Sequence, residues 1–404
     1  GRQSPHPSCP AERWLSPRSW MSPEFDDALR EAVDIARLAP SSHNSQPWGL
    51  AVVRSPEAMR RVCDVFDRPS SGRPESTPGS RHLVLALDRE RELTALHDHR
   101  VEMYLSCGAY LHLLLEALRI AGWGASRVAW NEDGRSDWLL PAALPGEWLP
   151  LAAVQLSPAQ PEERGRLVEL ARVAARRITN RAPYRNEAPS GALLASPAPL
   201  PADAALRPAV EVRLITERNA IESIGSFVAA SAGIDFAHPT AWRETHRFIR
   251  WSSRDHVEDG FPIEQLFGPI SRARKLLYRA ALAPPTLLLL ARLGYAAYLA
   301  KQLGELVGNT PALVAFSLPS ERPAMSAVVG GGAAVMEFWL RATAAGAALH
   351  PISVIIQHPD IRARFQRDHG LSGRVFFFAR LGYPASAFPA APRRRDPWSS
   401  VVAL

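Results

Sequence analysis

The sequence is poor in cysteine and almost devoid of lysine. Its three cysteines, Cys9, Cys63 and Cys107, lie far apart and form neither a CxxC pair nor a zinc-type spacing. A disulfide framework is therefore not expected, and a reducing cytoplasmic location is favoured. Lys275 and Lys301 are the only lysines among 47 basic residues. Because the many arginines are scattered among acidic residues and are not interleaved with aromatic ones, the net charge of +7 does not indicate a nucleic-acid partner.

Several common catalytic motifs are also absent. The sequence contains no GxSxG nucleophile elbow and no P-loop, and the glycines at 330–332 lack the GxGxxG spacing of a dinucleotide site. Its histidines do not cluster with other metal ligands at a suitable spacing, so no metal site is expected. Nothing in these patterns points to hydrolytic or metal chemistry.

No apolar run is long enough to cross a bilayer. The most apolar region is 280–300, and its longest uncharged part is 280–291. We expect a buried helix pair or a lid over a pocket there; a membrane-surface helix is less favoured, and no membrane partner is expected. Residues 1–20 are rich in Pro, Ser and Arg and lack the apolar core of a signal peptide, so they are expected to form a disordered leader.

The hydrophobic periodicity predicts a mixture of helices and strands. Helices are predicted at 25–39, 57–66, 100–121, 161–177, 218–232, 242–251, 330–345 and 361–368. Strands are predicted at 50–53, 82–88, 125–130, 148–156, 210–216, 312–318 and 374–381. Since these elements do not alternate regularly as βαβ units, an α+β fold is favoured over a doubly wound parallel sheet.

A weak internal repeat divides the chain into two parts. Gly108 opens a predicted helix that ends at Gly122, and Gly332 opens another, equally long, that ends at Gly346. Two related halves explain this spacing. The expected divisions are a first half at 21–160 and a second half at 161–404 with an apolar insertion at 261–303.

The loop at 39–48, with the sequence APSSHNSQPW, joins the first predicted helix to the first predicted strand. Pro40 ends the helix, because the residue before a proline disfavours the α region. Pro47 restricts a second φ angle. Short hydrogen-bonding side chains lie between the two prolines. Taken alone, the loop is consistent with a capped turn or with a polar ligand held at a rigid junction.

Two groups of arginines stand out. One closes a predicted helix in the segment RRITNR at 176–181, and the other is RRR at 393–395. Cations are common at helix C-termini and in chain tails, so a structural role is favoured for each group alone. The functional alternative is a phosphate clamp, in which guanidinium groups grip phosphate oxygens and Thr179 adds a donor.

Together, four segments resemble the FMN-dependent nitroreductase superfamily, and more narrowly its double-length Acg-like branch. APSSHNSQPW is similar to the family's helix-end motif, and RRITNRAPYR resembles its phosphate-holding block. AGAALHPIS at 345–353 resembles the loop beside the flavin ring, and PRRRDPW resembles the C-terminal tail. The resemblance implies two nitroreductase-like halves, each a mostly antiparallel sheet flanked by helices, that form an intramolecular pseudo-dimer.

The resemblance also implies a cofactor site. One FMN per chain is expected, because the phosphate block and ring loop lie in the second half and the helix-end motif lies only in the first. The arginines and Thr179 would hold the phosphate, and a backbone N–H at 352 or 353 would meet flavin N5. No catalytic side chain is assigned, since the flavin carries the hydride chemistry. The expected FMN-binding residues are Pro40, Ser41, Ser42, Asn44, Gln46, Arg177, Thr179, Asn180, Arg181, Pro351, Ile352, Ser353, Arg393 and Arg395.

The implied function is that of an FMN-dependent oxidoreductase acting on a small organic substrate. It would reduce a nitro or quinone acceptor with NAD(P)H, or dehydrogenate a specific substrate. The insertion at 261–303 is expected to roof the flavin and to restrict nicotinamide entry. The alternative is therefore an FMN-binding or storage protein with a catalytically limited flavin. The chain is expected to act as a monomeric pseudo-dimer or as a homodimer.

Overall fold

The computed structural model describes residues 25–66, 79–139, 144–190, 209–252, 258–393 and 396–404. These residues form an α+β fold with two main sheets, as the periodicity predicted. The leader expected at 1–20 lies outside the described residues.

The helices and strands fall into three groups along the chain. The first part of the chain forms α1 (Phe25–Ala36), β1 (Trp48–Val52), α2 (Pro56–Phe66), β2 (Arg81–Asp88), α3 (His99–Ile120), β3 (Trp123–Trp130), β4 (Trp148–Pro158) and α4 (Arg164–Arg176). The middle forms β5 (Glu211–Ile215), α5 (Arg218–Ser231), α6 (Gly233–Ala237), α7 (Pro239–Arg247), β6 (Ile249–Arg250), β7 (Phe261–Pro262), α8 (Glu264–Phe267), α9 (Arg272–Ala281), α10 (Pro284–Arg292) and α11 (Tyr295–Gly308). The last part forms β8 (Ala312–Leu318), α12 (Met325–Ala344), β9 (Ala348–Pro351), α13 (Pro359–Asp368), β10 (Arg374–Gly382) and β11 (Val401–Ala403).

The first sheet has the strand order β11-β1-β2-β4-β3. Its strands are antiparallel except for β11, which runs parallel to β1 with Val401 opposite Leu50. The second sheet, β5-β8-β10-β9, is antiparallel throughout. Because β11 completes the first sheet, the expected division at residue 160 does not follow a simple boundary in space, and it stays a prediction.

Two long helices connect the cores of the two sheets. Helix α3 packs on the first sheet and α12 on the second, and the helices cross each other backbone to backbone. A Cβ atom on Gly108 would lie 1.9 Å from the carbonyl oxygen of Val329, and one on Gly332 would lie 2.2 Å from that of Leu105. Only glycine permits so close an approach. The two glycines matched by the internal repeat therefore meet at this crossing.

The structure corrects three expectations about individual elements. The helix expected at 242–251 ends at Arg247, because the next residues pair as β6 with β7 from beyond the following loop. Helix α12 begins at Met325, five residues before the expected start, since the preceding small and apolar residues continue the same buried face. Of the two alternatives for 280–300, the buried helix pair is wrong, because Leu289 and Leu293 are exposed while Leu287 is buried. The other alternative, a lid over a pocket, stays a prediction.

One helical stretch of the described residues, Arg218–Ala237, is long and apolar enough by composition alone to cross a bilayer. Its side chains at Ile221 and Val228 belong to the core beneath the second sheet. It also packs closely on α11, since a Cβ atom on Gly225 would lie 2.7 Å from the Cα of Gly308. In the structure, the helices of this stretch therefore pack against the rest of the protein.

Candidate functional site

A cavity of about 580 Å³ lies where the loop after α1, the segment after α4, the loop after β9 and the insertion meet. Its volume lies within the range of about 300–1,000 Å³ found for small-molecule sites. Distant parts of the sequence contribute the residues that the motifs single out. Those that line the cavity are Pro40, Ser41, Ser42, Asn44, Arg177, Thr179, Arg181, Pro351, Ile352, Ser353 and Arg393.

Two expected ligand contacts lie behind the cavity wall instead. The Gln46 side chain is fully buried and donates to the carbonyl oxygen of Glu258 at 2.7 Å. The Asn180 side chain donates to the carbonyl oxygen of Ser386 at 2.9 Å. Their amide groups brace the surrounding loops, so the structure assigns both residues a supporting position. Arg395 lies outside the described residues.

The loop after α1 has an unusual backbone. His43, Asn44 and Gln46 have φ angles of 51°, 54° and 52°, and they are the non-glycine residues with positive φ in the part of the chain that the structure describes. Each such conformation costs about 1–3 kcal/mol and persists only where the surroundings enforce it. Strain of this kind is concentrated at functional sites. The loop is thus more constrained than an ordinary capped turn.

Asn44 links three segments around the cavity. Its amide nitrogen donates to the carbonyl oxygens of Gly260 and Pro392, each at 2.8 Å. Its amide oxygen accepts a hydrogen bond from Arg393 Nη1 at 2.7 Å. These bonds tie the loop to the insertion and to the C-terminal segment. Asn44 is therefore a positioning residue that holds the Arg393 guanidinium against the cavity.

Replacing Asn44 by glycine should lower the affinity for an anionic ligand about tenfold. Glycine keeps the positive φ without strain but removes the amide, which releases Arg393 and takes one donor away from the carbonyl groups of Gly260 and Pro392. Ligand titration with FMN measures the change. The matched control is Ser45→Ala. Among the described residues, the Ser45 hydroxyl has a single hydrogen-bond partner, the Met103 sulfur at 4.0 Å. Equal affinities for both variants would contradict the positioning role.

Three arginines converge on the cavity: Arg177 is buried, and Arg181 and Arg393 are half-buried. Desolvation lowers the pKa of Arg181 and of Arg393 to about 10, and burial together with the nearby Arg393 holds the pKa of Arg177 well below its usual value. Within the described part of the chain, Arg177 Nε has no hydrogen-bond partner, Nη2 donates to the carbonyl oxygen of Leu38 at 3.4 Å, and the guanidinium lies 4.7 Å from the centroid of the Trp339 ring.

None of these three arginines forms an ion pair with a carboxylate among the described residues. A buried cation without a counter-ion costs several kcal/mol. An anion with several oxygen acceptors would remove that cost and would satisfy the orphaned Arg177 Nε. The donor set therefore fits a phosphate group.

A fourth arginine, fully buried, extends this positive region. Arg380 lies on β10, where its Nη1 is 3.2 Å from His350 Nδ1 and its Nη2 donates to the carbonyl oxygen of Ala182. His350 lines the cavity, and burial together with Arg181 and Arg380 holds its pKa well below 6.5. The sequence analysis missed Arg380, although an arginine within the apolar strand FFFARLG was a signal.

A histidine–carboxylate pair was also missed. His99 on α3 lines the cavity, and its Nδ1 lies 3.0 Å from Glu244 Oε2 on α7. Burial lowers the pKa of His99, but the hydrogen bond to Glu244 and the charges of Glu102 and Asp235 outweigh burial and raise it above 6.5. The neighbouring His43 differs, because burial and then the His99 charge lower its pKa to about 4. The surroundings thus favour the protonated form of one imidazole on this wall and the neutral form of its neighbour.

The His99–Glu244 pair should make stability depend on pH. The pKa of Glu244 is lowered from 4.5: burial would raise it, but the hydrogen bond from His99 prevails. The stabilisation by this pair is fully present between pH 4.5 and pH 6.5. It is lost when the pH rises through the raised His99 pKa, and also when the pH drops through the lowered Glu244 pKa. Urea unfolding should show Glu244→Gln about 1–3 kcal/mol less stable than wild type within this window, and the deficit should shrink as the pH rises through the raised His99 pKa. A deficit that does not change with pH would contradict the ion pair.

A smaller recess of about 130 Å³ adjoins the cavity. It shares Ser41, Thr179 and Ser353 with the cavity and reaches the crossing of α3 and α12 at Gly332. Its floor is largely apolar and includes the Trp339 ring. The combined space therefore has a cationic end, a narrow apolar recess, and a wider chamber beneath the insertion.

Comparisons with known proteins match this chain to a family. A family model described as the Nitroreductase family matches residues 13–71. Over 384 residues the chain is 30% identical to the Serratia sp. protein named Probable NAD(P)H nitroreductase PigM, and the match covers 94% of each chain. It is 25% identical over 386 residues to Mycobacterium tuberculosis Rv3131, whose name also describes an NAD(P)H nitroreductase, with 95% of this chain and 93% of that protein covered.

Among solved structures, the FMN-dependent nitroreductase NfnB from Mycobacterium smegmatis, in complex with NADPH, has a TM-score of 0.32 and 18% identity. That match covers 54% of this chain and 89% of NfnB. The two sequence relatives, by contrast, match this chain over nearly its whole length.

Proposed function

The chain belongs to the nitroreductase family and is an oxidoreductase of that family, and from this premise we propose that it binds one FMN in the cavity. The observation that carries the proposal is the cluster of Arg177, Arg181 and Arg393, which line one cavity, are at least partly removed from solvent, and have no carboxylate partners among the described residues. A phosphate monoester supplies both the charge and the acceptor oxygens that this cluster lacks.

We assign the two ends of the ligand from the chemistry of the walls. The three arginines and Thr179 would hold the phosphate. Pro40, Ser41 and Ser42, together with the loop at 351–353, would face the ring and the ribityl chain, since these residues wall both the cavity and the recess. Bound FMN would supply hydride transfer through its N5 atom.

The chain's own side chains would orient the ligand, exclude water and hold a proton. The strained loop at 42–46 fixes the Arg393 guanidinium through Asn44. Apolar side chains of the insertion, such as Leu282 and Leu303, line the chamber and would limit the access of water to a bound ligand. At the cavity wall, Glu244 would favour the protonated form of the His99 imidazole, because it raises the His99 pKa. These are supporting tasks that a flavin enzyme leaves to its protein.

We propose that the two sheets are the cores of two nitroreductase-like halves forming an intramolecular pseudo-dimer. Each sheet packs on its own long helix, and the helices cross at the two glycines that the repeat relates. The cavity takes the loop at 39–48 from the first half and its arginines from the second. This asymmetry supports one FMN per chain.

The chamber beneath the insertion supports a small, uncharged organic substrate. It is lined by apolar side chains such as Phe261, Leu282 and Leu303. The names of PigM and Rv3131 favour NAD(P)H as the electron donor and a nitro or quinone compound as the acceptor. Dehydrogenation of an organic substrate is the other direction that the same chamber would serve.

Absorption spectroscopy of the purified chain, with FMN added if needed, tests the proposal. We expect a yellow protein with one FMN per chain, bleached by NADPH or by a suitable organic substrate under anaerobic conditions and reoxidised by a nitroaromatic or quinone. Two flavins per chain, or none after FMN is added, would contradict the site assignment. Tightly bound FMN that no donor reduces would instead indicate the storage alternative.

A further inference from the structure

The outer face of the insertion exposes large apolar side chains. Among the described residues, most of the exposed large hydrophobic side chains belong to α8–α11, namely Phe267, Leu276, Leu277, Leu289, Leu293 and Tyr298. The exposed fraction is 69% for Leu276, 64% for Leu277 and 78% for Leu293. Successive helices from α9 to α11 pack against each other, so these side chains belong to one helical cap. Soluble monomers seldom leave such a group exposed without an interaction to serve.

The same helices carry a net positive charge, and their two carboxylates, Glu264 and Glu305, pair with Lys275 and Lys301. Residues 265–304 contain no aspartate or glutamate, whereas they contain Arg272, Arg274, Lys275, Arg279, Arg292 and Lys301. Helix α9 has no buried residue, and three exposed arginines flank its two exposed leucines. A basic helix with exposed leucines is typical of segments that lie in a membrane interface.

The charge pattern indicates which partner would cover this apolar face, a second copy of the chain or a lipid bilayer. A second copy of the chain that used the same face would bring one group of arginines against another. Glu264 and Glu305 already pair with Lys275 and Lys301, and the four arginines of 265–304 have no carboxylate partner among the described residues. An anionic bilayer supplies negative headgroups for the arginines and an apolar layer for the leucines. We therefore infer that the outer face of α9–α11 is a docking surface for an anionic lipid bilayer.

This surface lies over the candidate site. Leu282, Leu299 and Leu303, from the same helices, line the cavity on its inner side. Docking would therefore place the chamber next to the lipid, and a lipid-soluble organic compound is the substrate class that fits. This corollary rests on the proposed function, whereas the docking surface does not. The inference replaces the expectation of no membrane partner.

Co-sedimentation of the full chain with vesicles tests the docking surface. Vesicles of phosphatidylcholine alone are compared with vesicles in which about a third of the lipid is phosphatidylglycerol, at low and high salt. We expect binding to the anionic vesicles only, weakened by salt because the attraction is partly electrostatic. The triple variant Arg272→Gln/Arg274→Gln/Arg279→Gln should bind about 100-fold more weakly. The double variant Leu276→Ser/Leu277→Ser should lose at least about tenfold.

Matched controls remove the same kinds of side chain elsewhere. The triple variant Arg60→Gln/Arg61→Gln/Arg166→Gln removes three exposed arginines outside the surface, and Val212→Ser removes an exposed apolar side chain on β5. Both should bind vesicles like wild type. No binding to anionic vesicles, or equal losses in the controls, would overturn the proposal. The proposal would also be overturned if the wild-type chain sedimented without vesicles and the Leu276→Ser/Leu277→Ser variant did not. That result would indicate that a second copy of the chain covers the face.

The measurement is made with FMN-free and with FMN-loaded protein. Vesicle binding by both forms supports the docking surface regardless of whether the cavity holds FMN. A chain that binds FMN but no vesicles overturns the docking surface alone, so the two proposals fail separately.

Discussion

Replacing Arg177 by methionine is expected to weaken FMN binding at least about 100-fold and also to make the FMN-free protein more stable. The guanidinium is buried, its Nε has no partner, and burial and Arg393 lower its pKa. A forked pair of charge-assisted hydrogen bonds to phosphate contributes about 3 kcal/mol or more, which corresponds to that loss of affinity. Without a ligand the cation is uncompensated, so an apolar replacement should stabilise the fold by about 1–4 kcal/mol.

The two opposite signs separate a ligand-binding role from a structural one. Quenching of FMN fluorescence measures the affinity, and urea unfolding of the FMN-free protein measures the stability. Arg176→Met is the matched control, because Arg176 is the neighbouring residue at the exposed end of α4. It should leave both quantities unchanged. If FMN-free Arg177→Met protein is less stable than wild type, the guanidinium supports the fold and the phosphate assignment is wrong.

Adding a single methyl group at Gly108 should destabilise the protein by about 3 kcal/mol or more. The new Cβ atom of Gly108→Ala would lie 1.9 Å from the Val329 carbonyl oxygen, so α3 and α12 must move apart. Gly332→Ala should behave alike, because its Cβ atom would lie 2.2 Å from the Leu105 carbonyl oxygen. Overpacking usually costs about 1–3 kcal/mol, and a clash with backbone atoms lies at the upper end because a backbone cannot rotate away.

Gly165→Ala is the control for this effect. Gly165 lies in α4, where an added Cβ atom would meet nothing within 4 Å. Alanine is favoured over glycine in a helix by about 0.5–1 kcal/mol, so this variant should be slightly more stable than wild type. Chemical unfolding compares the three variants. If Gly108→Ala is as stable as Gly165→Ala, the two helices do not cross as closely as described.

Features with a strong local signal were predictable from the sequence. The helices around Gly108 and Gly332 carry apolar side chains on all sides, which is typical of buried helices. Most of the strands were also indicated by short apolar runs. The repeat related the two glycines, although only the structure shows that they touch. Local periodicity and spacing predict these elements because they do not depend on residues that are distant in the chain.

Features that depend on distant partners were not predictable. Nothing near His99 shows that it pairs with Glu244, which is 145 residues away in the chain. The ligand contacts of Gln46 and Asn180 stay predictions, and their side-chain partners at Glu258 and Ser386 come from remote loops that the sequence does not connect to them. The motif resemblance singled out Arg177, Arg181 and Arg393, which line one cavity, but it could not distinguish side chains that face the cavity from those that brace its wall.

The parallel pairing of β11 with β1 has a consequence for how the protein is made. About 350 residues separate Leu50 from its partner Val401. At about 5–20 residues per second, a ribosome needs roughly 20–70 s to add them. During that interval the edge of β1 has no neighbour, and an open strand edge invites pairing with other chains. The segment that carries Arg393 also arrives only then, so a nascent chain cannot complete the first sheet or the cationic end of the cavity until synthesis has passed β11.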